Sequence, residues 1–213
     1  MRLANRLFAS RWTHSAGGRS VTATLLIGAS IVILTGAQQP HRVTHHATKQ
    51  VACRVDDATP VDNEVCFSPD NCCDIKLVRF IQSATTSIDV AVYDINLQNV
   101  VKALVDAVAS GSIAVRVIVD RKQSKGKYSL VHALLDGHVP VVFGKQPGIM
   151  HNKFVVIDQR MVEVGSFNFT NNATRNNNEN QVYLESSLVV LRYEKRFNEL
   201  WDAAQKRQRA SRR

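Results

Sequence analysis

The chain has 213 residues, enough for one domain with extensions. Its formal charge of +9 sits at its ends: residues 1–50 carry six Lys/Arg and residues 205–213 carry five, with no Asp or Glu in either stretch. The middle holds 16 basic against 18 acidic residues, a net of −2, which excludes a body that binds nucleic acid by bulk charge alone.

Residues 1–20 form a basic leader that contains Arg2, Arg6, Arg11 and Arg19. Val21 to Ala37 is almost entirely apolar or small. As a helix it would span about 25 Å, marginal for a bilayer core. Three readings stay open: a single-pass anchor, the apolar part of a secretory signal cut near Thr35-Gly36-Ala37, or a segment behind a mitochondrial presequence. The charge bias keeps the leader on the cytosol-like side.

Residues 38–66 read as a linker. Cys53, Cys66, Cys72 and Cys73 cluster within 21 residues, with His41, His45 and His46 upstream. They are the candidate zinc ligands, although the spacing lacks paired C-x2-C. Disulfides are the rival in an oxidising compartment. The basic tail, 205–213, is solvated or functional on equal grounds.

The catalytic region is expected over 67–204. Asp74 to Ala84 has apolar residues at helical spacing. Ser87 to Tyr93 reads as a strand. Asn96 is placed to cap a helix that runs to Ser110 and stops at Gly111. Ile113 to Val119 is a strand, Tyr128 to Leu135 a helix closed by Gly137, and Val139 to Phe143 a strand interrupted by Pro140. Strands Phe154–Ile157 and Met161–Val164 form a hairpin that turns through Gln159-Arg160. A strand over Gln181–Glu185 and a helix over Leu188–Gln205 follow. Alternating strands and helices predict an α/β sandwich with a mixed central sheet, its first half built of right-handed βαβ units.

The hairpin carries the chemistry. His151, Lys153, Asp158, Gly165, Ser166 and Asn168 give H-x-K-x4-D-x6-G-S-x-N. Two residues apart on a strand, His151 and Lys153 share a face. The hairpin returns Ser166 and Asn168 beside them. An imidazole, an ammonium, a hydroxyl and a carboxamide around one point suit a phosphodiester. For H-x-K alone, a core histidine and a surface lysine would be the better reading; the full register makes the pattern specific.

This pattern resembles the HKD signature of the phospholipase D superfamily, over about Phe67 to Trp201. The resemblance implies that fold and a phosphohistidine intermediate. Glu179 falls where single-motif members place a carboxylate that orients the histidine, and Ser87 to Tyr93 looks like the first core strand. Asp158 belongs to the signature, yet five residues of strand put it about 16 Å from Lys153, so a structural ion pair is expected for it. Related mitochondrial enzymes place a zinc-binding segment near the cysteines.

No second H-x-K occurs. The family's chemistry uses two such histidines, so the resemblance implies a homodimer that shares one site at its two-fold axis. One His151 attacks phosphorus; the other protonates the leaving oxygen and then activates water. Lys153 and Asn168 hold the phosphate oxygens, Ser166 supplies a hydroxyl, and Glu179 fixes the tautomer. The scheme needs no cofactor.

The expected substrate is an anionic phospholipid such as cardiolipin, cleaved to phosphatidic acid, as in mitochondrial cardiolipin hydrolases of the Zucchini type. The alternative is single-stranded RNA or DNA, as in Nuc-like bacterial endonucleases. An inactive membrane-tethered scaffold is the third reading, and the intact motif argues against it. Arg121, Lys122, Lys125, Lys127 and Lys145 follow sheet strands, where they suit an anionic surface or a nucleic-acid backbone. The leader and apolar segment point to a mitochondrial outer-membrane anchor, with secretion or periplasmic export as the alternative. Asn168-Phe169-Thr170 and Asn172-Ala173-Thr174 fit the glycosylation sequon, and a glycan on Asn168 would block the site.

Overall fold

The computed structural model describes residues 63–144 and 147–211. The apolar segment, Cys53 and Lys145 lie outside the described residues. Among the described residues no helix is long and apolar enough to cross a membrane.

Seven strands form one mixed sheet. They are β1 (Glu64–Ser68), β2 (Ser87–Val92), β3 (Ala114–Val119), β4 (Val141–Phe143), β5 (Lys153–Ile157), β6 (Met161–Gly165) and β7 (Glu179–Leu184). Their order is β1-β7-β6-β5-β2-β3-β4. β2, β3 and β4 run parallel; β5, β6, β7 and β1 pair antiparallel. The parallel half needs crossovers, supplied by α2 (Gln98–Ala109) and α3 (Val131–Asp136).

Both sheet faces are covered, which is why β2 and β5 are buried along almost their whole length. On one face Ile88, Val90, Val155 and Ile157 pack with Leu77, Phe80 and Ile81 of α1 (Cys73–Gln82) and Val100 and Leu104 of α2. On the other face α5 (Ser187–Ala210) lays Val190, Phe197, Trp201 and Ala204 over Ile118, Phe154 and Val156. Arg116 is the polar exception there. It grips Asp89 with two hydrogen bonds of 2.8 and 2.6 Å and stacks beneath Phe197, 4.8 Å from the ring centre.

Several expectations are corrected. Strand β1 begins at Glu64, inside the stretch read as linker, and pairs along β7. Asn96 does not cap α2, whose N-cap is Leu97; its carboxamide instead accepts from Asn171 N at 2.8 Å. Helix α5 runs to Ala210, so most of the basic tail is helical, and Arg207 and Arg209 suit the negative end of its dipole. A five-residue helix, α4 (Asn171–Arg175), was not foreseen; Thr170 caps it by accepting from Ala173 N.

The zinc reading fails. Cys66 on β1 and Cys73 at the start of α1 are joined as a disulfide, and Cys72 is disulfide-bonded too. A thiol spent on a disulfide is no thiolate ligand. The bond pins the edge strand to the helix that packs behind it.

Candidate active site

The sheet topology gathers the motif at one edge. β5 starts where β2 ends, because Lys153 pairs with Val92. β6 ends at the same edge, with Gly165 opposite Gln181 near the start of β7. His151 and Lys153, Ser166 and Asn168, and Glu179 therefore come from three neighbouring strands.

His151 precedes β5 and is exposed. Its ring meets Tyr93 edge-on, with ring centres 4.7 Å apart. Lys153 is buried, donates from Nζ to the His151 carbonyl at 2.9 Å, and lies 5.3 Å from the Tyr93 ring centre. Burial lowers its pKa below the ordinary 10.5, and the nearby Glu179 carboxylate opposes that shift. Tyr93 thus supports both motif residues. Sequence reading had it only as the end of a strand.

Ser166 and Glu179 are hydrogen-bonded to each other. Glu179 also accepts from Asn177 Nδ2 at 2.8 Å. The expected hydrogen bond from a His151 ring N–H to Glu179 is absent among the described residues; the carboxylate instead accepts from Ser166 and Asn177. Gly165 is required by close approach, since a Cβ there would lie 2.0 Å from the Asn180 carbonyl oxygen. Ser166 N donates to that same oxygen at 3.1 Å.

Phe167 and Phe169 are fully buried and alternate with Ser166 and Asn168. Phe169 is tied down by three backbone bonds, to Asp94 O, from Asn96 N and from Leu97 N. Asn168 is half-buried, and its Oδ1 has no partner among the described residues. Thr170, which completes the sequon, is buried.

Asp158 lies at the opposite end of the hairpin. The turn centres on Asp158 and Gln159, both left-handed at φ 53° and 54°, one residue earlier than expected. Its role is corrected as well. Among the described residues no ion pair forms with it; the carboxylate accepts from the backbone and hydroxyl of Thr85 and Thr86 and from Ser87 N, at 2.7–3.1 Å. Burial would raise its pKa, but the N–H and hydroxyl donors outweigh that and hold it at about 2. It locks the turn onto the start of β2.

Two acidic groups near the site escaped the sequence reading. Asp94 follows Tyr93, and burial raises its pKa against a backbone hydrogen bond from Ile95. Glu163 is fully buried, with both carboxylate oxygens unpartnered among the described residues, and burial raises its pKa well above the ordinary value. It pairs across to Val155 and Tyr183, two residues along the strands from Lys153, Gly165 and Gln181. Only the strict alternation of β6 could have flagged it.

The sequence and the fold are similar to those of known proteins. A family model described as "Cardiolipin synthase, PLD-like domain" matches residues 77–201. A phospholipase D of Rickettsia bellii is 37% identical over 128 residues, covering 60% of this chain and 63% of the relative. A mitochondrial cardiolipin hydrolase of Chlamydomonas reinhardtii is 29% identical over 127 residues, 60% of this chain and 56% of the relative. The match therefore spans less than two thirds of these relatives. Among solved structures, the phospholipase D family member Nuc of Salmonella typhimurium superimposes with TM-score 0.61 at 27% identity, over 65% of this chain and 93% of that one. NucT of Helicobacter pylori gives 0.60 at 26%, over 66% and 96%.

Proposed function

Because the chain belongs to the phospholipase D-like family, we propose that it hydrolyses phosphodiesters through a phosphohistidine. The observation that carries this is the exposed His151 ring beside the buried ammonium of Lys153, with Ser166 and Glu179 at the same sheet edge. Two copies meet with their His151 residues facing. A neutral ring nitrogen of His151 attacks phosphorus; an N–P bond forms and the P–O bond breaks. The protonated His151 of the partner subunit gives its proton to the leaving oxygen. That imidazole then takes a proton from water, whose oxygen bonds to phosphorus as the N–P bond breaks. Lys153 and Asn168 of both copies hold the non-bridging oxygens. Glu179 turns from Ser166 to the second ring nitrogen once the dimer orders the site.

An anionic phospholipid such as cardiolipin is the substrate the relatives' names support. Arg121, Lys122, Lys125 and Lys127 lie on the loop after β3, with Tyr128 and Ile149 exposed, as suits a lipid surface. Single-stranded nucleic acid is the second reading. A groove of about 760 Å³ favours it, lined by Asn96, Gln98, Asn171, Asn172, Arg175 and Tyr128, together with the carboxylate of Asp74. The enzyme is anchored at the mitochondrial outer membrane by its N-terminal segment. The disulfides favour the alternative, an exported or periplasmic enzyme.

The full chain should be assayed on cardiolipin vesicles and on single-stranded RNA and DNA, with His151→Ala as control. Release of phosphatidic acid supports the first reading; cleaved oligonucleotide supports the second. Turnover of either substrate that survives in His151→Ala contradicts the histidine mechanism.

A further inference from the structure

Asp120 directly follows β3 and is completely buried, yet no ion pair holds it among the described residues. Its carboxylate is satisfied by backbone alone. One oxygen accepts from Lys122 N at 2.8 Å and Gln123 N at 3.0 Å; the other accepts from Met150 N at 2.9 Å. Two segments far apart in sequence are thus joined through one side chain: the basic loop after β3, and the residue directly before His151. Met150 is fixed from a second side. It is 2% exposed, and a Cβ placed on Gly144 would come within 2.4 Å of Met150 Cβ. Gly144 is itself held by N–H donation to Val119 O at 2.7 Å, one residue before Asp120.

We infer that Asp120 is a positioning residue: through Met150 it sets the placement of His151 and links that placement to the basic loop. The chemistry explains why this needs a carboxylate. Three N–H groups converge from two chain segments, and a carboxylate offers acceptors to all of them with no donor to clash. A carboxamide must turn its NH2 towards one set. Met150 cannot then keep its place, and His151 is the next residue. A nucleophile displaced by about 1 Å loses on the order of 100-fold in rate. Apolar packing alone would hold Met150 in the core without fixing its N–H direction.

The inference rests on the reading of His151 as nucleophile, and its test separates the two. The full chain and its Asp120→Asn, Gly144→Ala and double variants would be assayed on bis(p-nitrophenyl) phosphate, a diester too small to need the basic loop. Thermal midpoints would be recorded alongside. Each single variant, folded, should lose about 10- to 100-fold in kcat, with KM within about threefold. Because both act through Met150, the double variant should fall no more than about threefold below the worse single variant. A kcat loss that merely tracks the folded fraction, losses that multiply, or wild-type kcat in either folded variant overturns the inference. If Asp120→Asn fails to fold, Gly144→Ala still tests the Met150 link on which the inference depends, and wild-type kcat there overturns it. Full turnover by His151→Ala would instead overturn the proposed function.

Discussion

The two ends of the β5–β6 hairpin treat a carboxyl group in opposite ways. At the turn, Asp158 accepts from five donor groups and is held at about 2. Towards the open end, Glu163 is buried with no hydrogen-bond partner among the described residues, and its pKa is raised. They stand five positions apart in the sequence. The difference follows from what surrounds each: three consecutive residues with free N–H and hydroxyl donors at Asp158, and hydrophobic strands at Glu163. One end is built for stability. The other tolerates unsatisfied polar groups beneath Lys153 and Ser166, as functional ends of folds do.

The largest expected effects belong to the open end. His151→Ala should lower kcat at least about 10⁴-fold, because the proposed nucleophile and acid are lost together. Lys153→Ala should lose about 10²–10³-fold, as for removal of a donor to the transition state. Steady-state kinetics on a chromogenic diester reads both. The lowered pKa of Lys153 adds a pH signature: the alkaline limb of the kcat profile should fall below the ordinary lysine value of 10.5. Loss of that limb in Lys153→Arg would tie it to this residue.

The turn end should respond in stability. Asp158→Ala should cost about 1–2 kcal/mol, after allowing for partial exposure, with kcat per folded molecule nearly unchanged. Its folded pKa lies below the ordinary 3.8, so the contribution is complete above that value and fades as pH falls through about 2. Urea melts of wild type and variant at pH 7 and pH 2 should converge at the lower pH. A constant difference would mean that charge plays no part.

Glu163 gives the smallest effect, of opposite sign. Its raised pKa favours the folded state only while the acid is protonated, so stability declines as pH rises above the ordinary 4.5. Glu163→Gln should be more stable than wild type at neutral pH, and the gap should close below pH 4. Glu163→Leu should gain about 1 kcal/mol at pH 7, since it removes a buried group without partners. A destabilised Glu163→Leu would show that the carboxyl has a partner in solution.

Legibility in the sequence followed the range of the forces involved. The apolar runs of β2, β5 and β6 and the periodicity of α1 and α2 are local, and the structure agrees with them to within a few residues. The fixed spacing around His151 and Ser166 could be read because a tight hairpin converts spacing into proximity. What stayed hidden was made by distant partners. Asn96 has a capping sequence but is claimed by Asn171, 75 residues away. Asp158 looked like half of an ion pair; Thr85 to Ser87, about 70 residues upstream, supply neutral donors instead. The cysteines could be read as ligands or disulfides until β1 brought Cys66 against Cys73. Asp120 gave no signal, because its partners are backbone N–H groups and leave no residue type to recognise.

One motif per chain makes the shared site the central claim, and subunit mixing tests it most directly. Equal amounts of wild-type and His151→Ala chains would be unfolded together, refolded and assayed on the chromogenic diester. If two His151 residues form each site, random pairing leaves about a quarter of dimers with both, and activity per total protein should fall to about a quarter of wild type. Activity at one half, the wild-type fraction, or a verified monomer with full turnover, would contradict the shared-site mechanism.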